Sequence, residues 1–251
     1  MGCQRSDGGS SSADEPFAAR ARALGILPDE LVLKRFDRYE ALLIEHGSRF
    51  NLTAVRDPAG IRRRHFEESL ALGVALTARG TLQGRERVID VGSGAGLPGI
   101  PLAIAWPGLR LTLLEATGKK AAFLSLAVRE LDLHRVQVVA LRAEDAARLP
   151  ELRERFDLAV ARAVARLNAL AELLLPFVRV GGAIAAVKGS RTEEEVADAR
   201  RALRLCGGSE PQLVPLPGSS APLRLVVATK LRPTPAAYPR RAGVPVHDPL
   251  R

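Results

Sequence analysis

The segment Asp90-Val91-Gly92-Ser93-Gly94-Ala95-Gly96-Leu97-Pro98-Gly99 constrains the fold of this chain more than any other. It follows a short apolar run from Val88 and precedes an apolar stretch from about 98 to 105. Strand, glycine-rich turn and helix in that order open a parallel βαβ unit, and the glycines let backbone approach a ligand closely. The alternation continues. Residues 111–115, 136–140, 158–161, 183–187 and 223–229 read as strands, with helices over 119–131, 167–177 and 193–205. Strands separated by helices pair in parallel through right-handed crossovers, so the expected fold is an α/β, mostly parallel, doubly wound sheet.

The glycine spacing sorts the ligands. A dinucleotide fingerprint, G-x-G-x-x-G, needs glycine where Leu97 stands, and a P-loop needs G-K-[ST], which is absent. The G-x-G-x-G that remains is the spacing associated with S-adenosylmethionine in class I methyltransferases, with a strained structural turn as the alternative. Glu115 ends the second strand nineteen residues after Gly96, where a carboxylate can bridge two ribose hydroxyls. Ala143-Glu144 follow the third strand, Arg162 the fourth and Lys188 the fifth. Five strand ends that direct chemistry to one edge predict a cofactor site there.

Ahead of the sheet, Leu31, Leu33, Phe36, Tyr39, Leu42 and Leu43 recur at a helical period that Gly47 is expected to end. Asp57-Pro58 then reads as an N-cap with proline at the first helical position, opening a helix through Ile61, His65, Ser69, Leu72 and Leu76. The expected division is a disordered tail over 1–15, a helical extension over 16–84, a core over 85–232 and a basic C-terminal tail over 233–251. Met1-Gly2-Cys3-Gln4-Arg5-Ser6 matches a loose myristoylation pattern, but no polybasic second signal follows and the stretch is read as tail.

Composition excludes several classes. Cys3 and Cys206 are far apart, and no two of the four histidines share a metal-ligand spacing, so neither a disulfide scaffold nor a metal site is expected. The longest uncharged stretch, 91–109, holds five glycines and three prolines, which rules it out as a membrane span. A cytoplasmic monomer is expected. The net charge is +9, and the segment 206–251 carries six basic against two acidic residues. Such a balance attracts polyanions, although arginine-rich surface also serves solubility alone.

Several runs together resemble one bacterial family. They are Phe50-Asn51-Leu52-Thr53-Ala54-Val55-Arg56-Asp57, His65 with Ser69, the glycine-rich segment through Leu102, Gly118-Lys119-Lys120, Arg142-Ala143-Glu144, Arg162-Ala163, Lys188-Gly189 and Tyr238-Pro239-Arg240-Arg241-Ala242-Gly243. Over roughly 28–245 the chain is similar to the 16S rRNA guanine-N7 methyltransferases, first called glucose-inhibited division protein B. The resemblance implies a Rossmann-like class I methyltransferase core with an N-terminal helical extension. It also implies S-adenosylmethionine as methyl donor and 16S rRNA of the small ribosomal subunit as acceptor. It places cofactor contacts at Gly92, Leu97, Ala143, Glu144 and Arg162, to which the glycine and strand-end reading adds Gly94, Gly96 and Glu115. Two departures stand out: Glu68-Ser69 where the family usually has Asp-Ser, and His247-Asp248 where two lysines often close the C-terminus.

Guanine N7 carries an in-plane lone pair and no proton, so no general base is required. The fourth strand ends in Ala161-Arg162-Ala163-Val164-Ala165, which has neither the [D/N]-P-P-[Y/F] of amine methylation nor a nucleophilic cysteine. Arg162 is therefore the candidate nearest the transferring methyl, where it can orient cofactor or stack on guanine; a surface pair with Glu144 or Asp145 is its alternative. Asn51, Arg56, His65, Lys119, Lys120 and Lys188 are candidate RNA contacts. Asn51 and Arg56 can equally serve a turn, His65 a half-buried helix, and the two lysines a solvated first turn. Rival functions are a methyltransferase for a small molecule or protein, a cofactor-binding ribosome-assembly factor without turnover, and, more distantly, a nicotinamide oxidoreductase.

Overall fold

A computed structural model describes residues 16–162, 164–218 and 223–250; the expected tail over 1–15 lies outside them. The expected alternation is present. β1 (Arg87–Val91), β2 (Arg110–Leu114), β3 (Val136–Val139), β4 (Phe156–Arg162) and β5 (Val178–Lys188) run parallel, and β7 (Arg224–Thr229) and β6 (Gln212–Pro215) add an antiparallel edge. The seven strands lie in the order β3-β2-β1-β4-β5-β7-β6. The chain winds outward from β1 through β2 to β3, then crosses back to β4 beside β1. That reversal is the topological switch point, where open α/β sheets bind ligands at the strands' carboxyl ends.

Helices α1 (Phe17–Ala23) and α2 (Glu30–Phe50) precede the sheet. α2 passes through Gly47, the expected stop, and ends at Asn51 in the left-handed region with φ 50°. One glycine costs a helix only about 1 kcal/mol, and beyond it Phe50 still packs against the core, near the Phe123 ring. Asp57 caps α3 (Pro58–Gly60), its carboxylate accepting from the Gly60 amide at 2.6 Å. The helix continues as a π-helical turn, Ile61–Glu67, into α4 (Glu68–Ala78). Phe17, Phe36, Tyr39 and Phe66 pack ring on ring, and they share one core with Leu111, Leu113, Leu158 and Val160 of the sheet. The extension therefore covers one sheet face, together with α5 (Gly99–Ala105) and α6 (Gly118–Glu130).

The other face is covered by α8 (Leu167–Leu174) and α9 (Thr192–Leu205); the short α7 (Ala143–Ala146) follows β3. The last segment folds back beside α8 and ends in α10 (Val244–His247). Arg240 clamps it there with a two-pronged pair to the fully buried Glu172, at 2.8 to 3.1 Å. Lys230, itself fully buried, donates to Glu154, Thr234 and the carbonyls of Leu175 and Val178.

Candidate active site

Two cavities open at the carboxyl ends of the strands. The smaller, about 270 Å³, is lined by Gly92, Glu115, Ala143 and Glu144, with Val164, Gly243 and His247. The larger, about 520 Å³, is lined by Arg64, His65, Glu68, Arg162, Lys188 and Glu195. Arg162 faces one cavity and Val164, two residues on, faces the other.

The smaller cavity is built from the glycine-rich turn. The amides of Gly92 and Ser93 both donate to the Leu114 carbonyl, at 2.8 and 3.1 Å, which folds the turn across the end of β2. Glu115 accepts from the Gly94 amide at 2.9 Å and from the Thr117 amide at 2.8 Å, one on each oxygen. Each carboxylate oxygen keeps a second lone pair, so a pair of neighbouring hydroxyls can still be bound. Gly94 has φ +58°, and a Cβ there would meet nothing closer than the Gly92 carbonyl oxygen at 3.8 Å. The turn thus offers bare backbone beside an acceptor carboxylate, as a bound nucleoside requires. Gly96 differs: at φ +94°, a Cβ would overlap Ile100 and crowd the Tyr39 hydroxyl, and Leu97 is buried. Both pack inward and neither lines the cavity. Glu144 spends one oxygen on the Gly243 amide at 2.7 Å, which holds the C-terminal segment as one wall.

The larger cavity centres on Arg162. Its guanidinium donates to the Arg64 carbonyl at 2.9 Å, to His65 Nδ1 at 3.1 Å and to Glu68 at 3.4 Å. The expected alternative partners, Glu144 and Asp145, do not pair with it. Since His65 Nδ1 accepts from Arg162, Nε2 carries the proton and donates to Thr53 Oγ1 at 2.7 Å. Burial, then the Arg162 charge, hold the His65 imidazole down at about 4, so it is neutral near pH 7. Burial raises Glu68 against the opposing pull of Arg162 and Arg64. Lys188 donates to the Ala165 carbonyl at 2.8 Å and pairs with Glu195 at 2.7 Å. Two cation–carboxylate pairs therefore stand in one open cavity.

Asp90 lies beneath the turn and is wholly buried. One oxygen accepts from the Gly99 amide at 2.9 Å; the other has no partner among the described residues. Burial pushes this carboxyl up to about 7, with the Gly99 amide and Arg162 acting against it. Tyr39 is also buried, donating to the Ala95 carbonyl at 2.6 Å.

Of the expected site residues, Gly92, Glu115, Ala143 and Glu144 come together in one cavity, and His65, Arg162 and Lys188 in the other. Arg162 lines the larger cavity, where the helical extension supplies its acceptors. Asn51, Arg56 and Lys119 are exposed and Lys120 is half-buried; none lines either cavity. Asn51 takes the turn role, as the left-handed end of α2. Arg64, Glu195 and the wall formed by Val246 and His247 were not legible from spacing, since their partners are distant in the chain. Glu68 carried one signal, its departure from the family's aspartate. Among the described residues no group of three or more His, Cys, Asp or Glu can hold a metal ion.

The family model described as rRNA small subunit methyltransferase G matches residues 32–220. A protein of that name from Roseiflexus sp. (strain RS-1) is 45% identical over 232 residues, covering 92% of this chain and 97% of the relative. Another, from Dehalococcoides mccartyi (strain CBDB1), is 43% identical over 230 residues, covering 91% and 96%. Among solved structures, a mutant of MtNAS in complex with S-adenosylmethionine is similar with a TM-score of 0.54 at 17% identity, over 86% of this chain and 84% of that one. Methanococcus jannaschii fibrillarin, a pre-rRNA processing protein, gives 0.50 at 16% identity, over 61% and 70%. These two likenesses show the class I methyltransferase fold. With a glycine-turn cavity and an arginine-centred cavity flanking one switch point, and relatives matched over nearly their whole length, this chain belongs to the rRNA small subunit methyltransferase G family.

Proposed function

We propose that this protein transfers a methyl group from S-adenosylmethionine to N7 of a guanine in 16S rRNA of the small ribosomal subunit. The observation that carries the reading is the pair of cavities on either side of the β1–β4 junction, one suited to a nucleoside and the other to a purine with its phosphates. S-adenosylmethionine, when bound, supplies an electrophilic methyl group on a positively charged sulfur. Gly92, Gly94, Glu115, Ala143 and Glu144 hold it. Gly96 and Leu97 support the turn from within.

The acceptor needs positioning, not deprotonation, because N7 has a free lone pair. Arg162 is fixed at three points and offers its flat guanidinium to the base. Neutral His65 accepts from Arg162 without adding charge. Glu68 and Glu195 place negative charge beside a purine that becomes cationic on methylation. Lys188 stands where a phosphate or the base oxygen can reach it. Asn51, Arg56, Lys119 and Lys120 lie outside both cavities, where they meet flanking RNA.

The domains of this reading are the extension over 16–84, which supplies His65 and Glu68, and the core over 85–232. A cytoplasmic monomer suits an enzyme of ribosomal RNA, and among the described residues no helix is long and apolar enough to cross a membrane. The test is incubation with methyl-labelled S-adenosylmethionine and unmodified small subunits, then digestion of the RNA to nucleosides. Label in 7-methylguanosine at one site is expected, with kcat about 100-fold lower for Arg162→Ala. Label in another nucleoside would overturn the acceptor assignment.

A further inference from the structure

The opposite, amino-terminal edge of the sheet carries a charge pattern that the active site does not use. Arg87 opens β1 and is the register partner of Arg110, which opens β2. Arg135 immediately precedes Val136, the partner of Leu111, so it lies level with Arg110. The Leu111 amide donates to the Arg135 carbonyl at 2.9 Å. Three arginines thus stand side by side on three neighbouring strands, about 4.8 Å apart. Like charges at directly opposed sheet positions destabilise the pairing.

The nearby acids do not relieve the repulsion. Asp157 directs its carboxylate to the Arg87 backbone amide at 2.7 Å and to Arg179 at 2.7 Å. Glu86 is taken by three backbone amides, of Gln83, Gly84 and Arg85. Arg87 leans over the Phe156 ring at 5.6 Å, and none of the three guanidiniums has an ion pair among the described residues. Elsewhere Arg38, Arg62, Arg162, Arg179 and Arg240 each hold a carboxylate. With Gln137, the three arginines line an open cavity of about 400 Å³. Repulsion retained three abreast around a cavity is what an anion would offset, and arginine matches phosphate oxygens with two parallel donors.

We propose that Arg87, Arg110 and Arg135 form a second RNA site that binds backbone phosphates of the ribosomal RNA at the amino edge of the sheet. This rests on the rRNA reading of the active site. The strands separate the two sites by roughly 16 Å before loops are counted, at about 3.3 Å per residue. The two sites lie at opposite ends of the strands, so an RNA that fills both must pass around a face of the protein. A folded RNA domain or the assembled particle presents phosphates to both edges at once.

The test compares the full-length protein with the triple variant Arg87→Gln, Arg110→Gln, Arg135→Gln over a series of salt concentrations. Binding is measured to unmodified small subunits and to a short hairpin carrying the target guanine. For the particle, the slope of log affinity against log salt is expected to fall by about two to three, roughly one per lost phosphate contact. The hairpin and S-adenosylmethionine should bind both proteins equally. Arg110→Glu, which puts an acid between two arginines, is expected to raise Tm while weakening particle binding; a merely structural row would not separate the two readouts in that direction.

An unchanged particle slope would overturn the proposal and leave the methyl-transfer reading intact. An equal loss on the hairpin would overturn the claim of a separate site. Thermal stabilisation by inorganic phosphate with an unchanged RNA slope would assign the row to a free anion and overturn it as well. If the wild type methylates no rRNA but the triple variant still loses slope, the methyl-transfer reading fails and the second site stands.

Discussion

At the scale of single residues, the glycine-rich turn divides into positions that face open space and positions that face the protein. Gly94→Asp puts a carboxylate into open space beside Glu115, and loss of S-adenosylmethionine binding is expected, with a Tm loss limited to the strain of a side chain at φ +58°. Gly96→Ala meets Ile100 and Tyr39 instead, so it should cost about 1–3 kcal/mol of stability by overpacking. Calorimetric titration and thermal unfolding of both variants check the division; unaltered affinity in the first would remove Gly94 from the cofactor site. The spacing alone revealed that glycines were required here, but not which of them served packing, because that depends on Ile100 and on Tyr39 from another helix.

Two buried groups also set opposing pH dependences. Asp90 is raised in the fold from about 3.8 to about 7, so between those values the unfolded chain ionises first and stability falls as pH rises. His65 is lowered from about 6.5 to about 4, so in that window the unfolded chain binds the extra proton and stability rises with pH. The two nearly cancel between pH 4 and 6.5. Asp90→Asn should unmask the histidine, giving stability that climbs by about 1.4 kcal/mol per pH unit there. Urea unfolding of the variant across that range decides it; a flat profile would show that His65 is not neutral in the fold.

At the scale of elements, the π-helical turn Ile61–Glu67 brings the helical extension to the arginine-centred cavity. It presents the Arg64 carbonyl and the His65 ring to Arg162, just ahead of Glu68. Sequence periodicity announced a helix through these positions but not its widened turn. Ile61, His65 and Ser69 keep a four-residue spacing that is compatible with either form. β6 was missed for a related reason: Gln212 to Pro215 is short, ends in proline and alternates only weakly, so pairing with β7 defines it. Deleting Arg63 would remove the extra residue and restore a regular helix with its flanking segments still in register, but without the widened turn that presents the Arg64 carbonyl and the His65 ring to Arg162. The expected protein still folds and binds S-adenosylmethionine but loses rRNA methylation. Retained methylation would mean that the widened turn is incidental.

At the scale of the whole molecule, the proposed active site is assembled from three distant parts of the chain. The core supplies Gly92, Glu115 and Arg162, the extension supplies His65 and Glu68, and Gly243, Val246 and His247 close one wall of the smaller cavity. The core's contribution was legible because a parallel sheet sends its strand ends to one edge, whatever the loops contain. The C-terminal contribution was not. Composition over 233–251 reads as a basic tail, whereas Arg240 and Gly243 are committed to Glu172 and Glu144, 68 and 99 residues earlier in the chain. No local pattern can display such a pairing. A chain ending at Arg241 keeps the Arg240–Glu172 clamp, and with it the buried carboxylate's partner, but loses Gly243, Val246 and His247 from the cavity wall. Its sheet should therefore unfold within a few degrees of the full chain, while its affinity for S-adenosylmethionine drops by about tenfold, the equivalent of some 1.4 kcal/mol. Full affinity in the shortened chain would confine the cofactor site to the core, and would leave the Gly243–Glu144 bond a matter of packing alone.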